Sequence, residues 1–245
     1  MDLGLKSKIA VVWGSSSGLG YALAKQLIEE GAKVILVSRG GSKLQEAKTH
    51  LGALDAMECD FTQSGAATAL TKKIIEKYGR LDILVTNTGG PPKGAIENLS
   101  LADWNLGFQS LVLSVLEAVQ CALPSMKQNG FGRILLVTSA AAKEAMPLLN
   151  VSNTLRSGLL GLCKSLSNEV AEFGITANCI LPGFTDTERL QELKIPKEKI
   201  AIQIPAKRVG LPEEFAAVAT FILSERASYL TGQAIVVDGG WMKSI

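Results

Sequence analysis

The chain is poor in cysteine, histidine and tyrosine, and each shortage removes a class of function. Its 245 residues include four cysteines and one histidine. Cys59, Cys121, Cys163 and Cys179 stand far apart in apolar stretches and form no Cys-x-x-Cys pair, which reads as buried free thiols rather than a zinc or redox centre. His50, on a polar helix end, has no companions at metal-ligand spacing, so no metal is expected. Charge is also scarce in net terms: +2, too little to suggest a nucleic-acid or anionic-membrane partner. No apolar run approaches the ~18 residues that imply a membrane span. The start, MDLGLKSKIAVVWG, lacks the pattern of a signal peptide. These absences together set the expectation of a soluble, cytoplasmic protein.

What is present is ordinary for a folded domain: 47% hydrophobic and 20% charged residues. A chain of this length buries roughly 70–75% of its unfolded surface and needs no staple. Short runs rich in Val, Ile and Leu at 9–13, 33–38, 55–59, 82–86, 132–139, 176–181 and 234–238 show little alternation, as parallel strands covered on both faces do. Helical patterns fall between them at 18–30, 42–51, 65–78, 101–128, 153–173 and 212–223. The repetition predicts right-handed crossovers and an α/β fold: a doubly wound parallel sheet of about seven strands in three α/β/α layers. No linker or charge block divides the chain, so one domain over 1–245 is expected. The segment 184–205 reads equally as a solvated excursion and as a lid over a pocket.

Trp13-Gly14-Ser15-Ser16-Ser17-Gly18-Leu19-Gly20 follows the first strand and opens the first helix. Glycines there let phosphate oxygens approach the backbone, and the helix N-terminus offers free N–H groups and partial positive charge. Strand before, helix after and a second strand soon following make this a Rossmann-type dinucleotide loop. The second strand ends in Ser38-Arg39, where NAD-preferring sites usually carry an acid for the ribose 2′-hydroxyl. Arg39 suits a 2′-phosphate instead, which favours NADP over NAD.

With these motifs in order, the chain resembles the short-chain dehydrogenase/reductases from about residue 5 to 242, in particular bacterial 3-oxoacyl-carrier-protein reductases. The resemblance implies that Gly14, Ser16, Ser17, Gly18, Leu19 and Gly20 hold the pyrophosphate. Asp60 and Phe61 would border adenine, as would the Thr86-Asn87-Thr88-Gly89 turn through Asn87 and Gly89. Pro182, Gly183 and Thr187 would lie on the nicotinamide side. Asp238-Gly239-Gly240-Trp241 closes the chain as family members often do. The resemblance further implies a dimer or tetramer built on the helices at 101–128 and 153–173 and on the final strand. Leu155, Leu159, Leu162 and Leu166 are compatible with that, though a buried core explains much of the same pattern.

The catalytic positions depart from the family. Its Asn, Ser, Tyr and Lys fall here on Leu111, Ser139, Ser152 and Arg156, and only the serine is kept. Tyr21, Tyr78 and Tyr229 all lie outside this segment, so a small shift of register restores nothing. The family tyrosine donates a proton, its pKa of ~10 lowered by the neighbouring lysine. Serine is a far weaker acid, and arginine keeps its proton under ordinary conditions. Arg156 can hold ribose hydroxyls and stabilise an oxyanion, but it cannot relay a proton. Its alternative role is a helix-surface or core ion pair. Two repairs stay open: Lys143 or Glu144 as acid, or water delivering the proton while Ser139, Ser152 and Arg156 polarise a carbonyl. Trp13 is expected to pack at the sheet edge. The expected activity is NADP-dependent reduction of a small or acyl-chain carbonyl, or oxidation of the matching alcohol. The rival is a dinucleotide-binding sensor or assembly protein with little turnover.

Overall fold

The computed structural model describes residues 1–192 and 195–244. Leu193 and Lys194, inside the expected excursion at 184–205, and Ile245 at the end of the expected domain lie outside the described residues.

Seven strands make one sheet: β1 (Ile9–Trp13), β2 (Lys33–Ser38), β3 (Asp55–Glu58), β4 (Ile83–Thr86), β5 (Gly132–Val137), β6 (Ile175–Pro182) and β7 (Ala234–Val237). All neighbours pair in parallel, in the order β3-β2-β1-β4-β5-β6-β7. Val11 of β1 stands between Ile35 of β2 and Leu84 of β4. Strand order reverses at this point, so a crevice opens beyond the carboxyl ends of β1 and β4, where such sheets bind ligands.

Both faces of the sheet are covered, which explains the unalternating apolar runs. Ile9, Val11 and Trp13 share one core with Leu70 and Ile74 of α3 (Ala66–Tyr78), Val115 and Met126 of α5 (Ser114–Asn129), and Cys163 and Leu166 of α6 (Asn150–Val170). Ala10 and Val12 face the other core, with Leu23 and Leu27 of α1 (Gly18–Glu29), Leu44 of α2 (Ser42–Leu51) and Phe215 of α9 (Pro212–Leu223). The three-layer expectation is met.

Several boundaries differ from the sequence reading. The helix expected at 101–128 is α4 (Leu101–Phe108), one π-helical turn at Gln109–Leu113, and α5. This 29-residue rod is long and apolar enough to cross a membrane by length and composition, which corrects the expectation that no stretch comes near. It is instead a core helix here, its Val115, Ala118, Val119 and Ala122 buried against the sheet. The strand expected to reach Ser139 ends at Val137 because Ser139 turns the chain into a 3-10 turn, Ala140–Ala142. The helix expected at 153–173 begins a turn earlier, at Asn150, and so includes Ser152. Leu159 and Leu166 of α6 are core residues, not an apolar outer stripe.

The excursion after β6 carries two short helices, α7 (Glu188–Gln191) and α8 (Lys197–Ala201). It is not a bare solvated loop. Leu190, Ile200 and Ile204 are buried in a third, small core with Phe184, Val209 and Trp241.

Candidate active site

β1 runs into a loop that only glycine permits. Gly14 has φ +62°, and a Cβ there would lie 2.6 Å from the Asn87 carbonyl oxygen. A side chain on Gly20 would collide with the Gly14 carbonyl. Ser15 ties the loop down: its hydroxyl donates to Val12 O (2.8 Å) and accepts from Val37 N–H (2.9 Å), joining the ends of β1 and β2. It is wholly buried, which makes it a fastener and not a ligand. Ser17 occupies the N-cap of α1, yet its hydroxyl does not cap the helix, and no acidic residue stands in the first turn. The leading amides therefore keep their donors and their field for an anion. Half-exposed Ser16 and Leu19 flank them. This cradle fits a dinucleotide pyrophosphate.

Thr187, at the start of α7, lies over Gly18, with its Cγ2 3.4 Å from where a Cβ would sit. Glu188 reaches across to Lys43 at the start of α2, 3.0 Å away. The excursion thus spans the loop. Pro182 and Gly183 end β6 beside it, and Gly183 presses against Asp238, where a Cβ would lie 2.5 Å from the Asp238 Cβ.

At the far end of the crevice, Ser38 accepts from Gly40 N–H at 3.3 Å. Arg39 is exposed and pairs with no carboxylate among the described residues. Glu58, unremarked in the sequence, holds the turn behind it by accepting from Gly41 N–H at 3.4 Å. Asp60 accepts from the backbone N–H (3.0 Å) and hydroxyl (2.8 Å) of Thr62, and these bonds hold its carboxyl below the usual range. Phe61 stacks on Trp13, with centroids 3.7 Å apart and planes 22° from parallel. Trp13 is therefore not at the sheet edge as expected. It is fully buried beneath Phe61, and its indole N–H has no partner among the described residues.

The other half of the crevice is built by β5 and α6. Ser139 caps the 3-10 turn by accepting from Ala141 N–H at 3.1 Å. Ser152 is buried on the first turn of α6, and its hydroxyl makes no hydrogen bond among the described residues. Arg156 lies one turn on, on the same helix face. It is 7% exposed and forms no ion pair among the described residues. Its Nη1 donates to Val137 O (3.1 Å) and Thr138 O (2.8 Å), and its Nη2 to Gly89 O (3.4 Å). Burial, with the nearby charge of Arg189 adding to it, lowers its pKa to about 10, so it stays cationic at neutral pH. Leu111 is fully buried within the π turn. Gln109, on the same turn, has a buried side-chain amide nitrogen without a partner among the described residues, and no local sequence signal marks that turn.

The loop after Ser139 is stapled down. Asn153 donates to Met146 O (2.9 Å) and accepts from Met146 N–H (3.3 Å). Glu144 accepts from Lys243 N–H at 2.7 Å, and Lys143 is exposed. Glu144 anchors the C-terminal tail, and neither residue is brought to Ser152 by any contact.

Residues 14–242 match the family model described as enoyl-(acyl carrier protein) reductase. The chain belongs to the short-chain dehydrogenase/reductase family. It is similar to the NADPH-dependent reductase BacG of Bacillus subtilis, at 32% identity over 98% of this chain and 100% of that protein. It is 31% identical to the 3-oxoacyl-[acyl-carrier-protein] reductase FabG of Vibrio cholerae, over 97% of this chain and 98% of the other. Among solved structures, an L-sorbose reductase of Gluconobacter frateurii complexed with NADPH and L-sorbose superposes with TM-score 0.92 at 31% identity, with both chains fully covered. A short-chain reductase fold with its dinucleotide crevice at the β1/β4 switch point accounts for the residues gathered here.

Proposed function

We propose that the chain is an NADP(H)-dependent oxidoreductase that reduces a 3-oxoacyl or small-ketone carbonyl, or oxidises the matching alcohol. One observation carries the reading: the loop before the uncapped α1 packs Gly14 against Asn87, and buried Arg156 bonds Gly89 two residues on, so both meet the same turn after β4. Gly14, Ser16, Ser17, Gly18, Leu19 and Gly20 would hold the pyrophosphate. Ser38 and Arg39 would take the 2′-phosphate, with Asp60, Phe61, Asn87 and Gly89 around the adenosine. Pro182, Gly183, Thr187 and Arg156 would address the nicotinamide half. When bound, NADPH supplies a hydride.

Ser139 and Ser152 would donate hydrogen bonds to the substrate oxygen. Arg156 would offset the negative charge that develops there, an effect that is strong in a desolvated site. Neither serine is acidic enough to surrender its proton efficiently, so water is the donor in this scheme. General acid catalysis contributes typically ~10²–10⁴-fold, and its loss makes a slow but real reductase. Glu144 is engaged by the tail and has no part in it.

The same reading includes the excursion at 184–205 as a lid, supported by its small core and the Lys43–Glu188 bridge. It also includes one domain over 1–245, a cytoplasmic setting without membrane or nucleic-acid partners, and a homodimer or tetramer. What supports the assembly is no longer a leucine stripe. Gly158 and Gly161 leave open space on the exposed side of α6, where a second helix fits closely.

The test is a ketone panel with the purified chain, followed by loss of NADPH absorbance. Slow turnover of at least one ketone is expected. Saturable NADPH binding with no turnover across the panel would favour the sensor reading instead.

A further inference from the structure

Arg156 is a buried cation with no counter-ion among the described residues. Buried charges are costly unless paired. A guanidinium has five N–H donors. Those of Nη1 go to two carbonyls and one of Nη2 goes to Gly89 O, while Nε and the second Nη2 N–H have no protein acceptor among the described residues. Arg189, on α7, converges on the same spot. Its Nη2 lies against Gly90, so closely that a side chain there would strike it. Its Nη1 holds, among the described residues, only the exposed carboxylate of Glu192, 2.8 Å away, a surface pair that exchanges readily. Two guanidiniums thus meet at Gly89–Gly90, close enough for their charges to oppose one another. Like charges gathered around spare donors suit a planar anion, which Arg binds in bidentate fashion.

We propose that Arg156 and Arg189 together form a carboxylate site over Gly89–Gly90, so that the substrate is an oxo acid held by its carboxylate while Ser139 and Ser152 face its ketone oxygen. This rests on the reductase reading for the ketone but not for the anion. The pyrophosphate has its own donors at the α1 N-terminus; Arg156, placed at the nicotinamide half, has donors to share with a carboxylate beside it, one helical turn from Ser152. Arg189 is the residue that selects for the charge.

The test uses malonate and dimethyl malonate, neither of which offers a ketone, titrated calorimetrically into the full chain with and without NADP⁺. Malonate should bind and the diester should not. Arg189→Ala should weaken malonate at least tenfold, with Arg189→Lys between, while NADP⁺ affinity stays within twofold. Lys199→Ala, a charge loss elsewhere on the excursion, should leave malonate binding unchanged. Equal binding of acid and diester, absence of malonate binding, or an Arg189→Ala loss that falls on NADP⁺ would overturn the proposal. Malonate binding in a protein that ignores NADP⁺ would sink the dinucleotide reading and leave the carboxylate site standing.

Discussion

The β1–α1 turn and the β5–α6 segment do comparable jobs by opposite means. Each is a strand end, a turn and a helix at the carboxyl edge of one sheet. In the first, backbone amides are proposed to do the binding, and side chains stay out of the way: Ser17 does not cap, and Gly14 and Gly20 have no side chain to intrude. In the second, the backbone is scaffolding. The side chains proposed to act are those at 139, 152 and 156, and even Arg156 spends donors on the scaffold. Recognition by backbone ties a site to glycine and to a helix start, so it changes little without being lost. Chemistry by side chain can be rewritten residue by residue while the fold persists. On the proposed correspondence, Ser152 and Arg156 stand at the family's tyrosine and lysine positions.

The sharpest way to break the comparison is to put a side chain into the backbone site. Gly20→Val should abolish useful NADPH affinity, a loss on the order of 10³-fold, since the new Cβ meets the Gly14 carbonyl. Circular dichroism on the variant would show whether the chain still folds, and NADPH fluorescence would report the loss. Retained affinity in folded protein would mean that the loop is not the site.

Rewriting the side-chain half should do the reverse. Ser152→Tyr with Arg156→Lys restores an acidic hydroxyl beside a cation that lowers its pKa, and ketone reduction should rise about 10²-fold. NADPH affinity should change far less. An unchanged rate in a folded, NADPH-binding double variant would show that these positions do not correspond to the family's pair.

A smaller effect sharpens the border between the two halves. Arg39→Ala should weaken NADPH about tenfold and leave NADH nearly alone, because the exposed guanidinium is proposed to pair with the 2′-phosphate that NADH lacks. Equal loss for both dinucleotides would move Arg39 out of the 2′ site.

The legibility of the two halves follows from the same difference. The sheet, its layers and the glycine loop could be read because apolar runs, helix spacing and glycine each report a backbone requirement. Ser139, Ser152 and Arg156 could be located by counting from β5, but their contacts could not. The anchoring of Arg156 on the Val137, Thr138 and Gly89 carbonyls is a tertiary event. So is Arg189 arriving over Gly90 from a segment about a hundred residues away in sequence. Trp13 was misplaced for a like reason: burial at a strand end depends on what stacks above it, and Phe61 lies on another strand's loop. The π turn at Gln109–Leu113 interrupts a helical pattern without glycine or proline within the turn to announce it.

Amide hydrogen exchange, read by mass spectrometry with and without NADP⁺, tests the central claim most directly. The account predicts that saturating NADP⁺ slows exchange most strongly in the peptide covering residues 14–20, where the free amides of α1 gain phosphate acceptors. Saturable binding that left that peptide's exchange unchanged would contradict it.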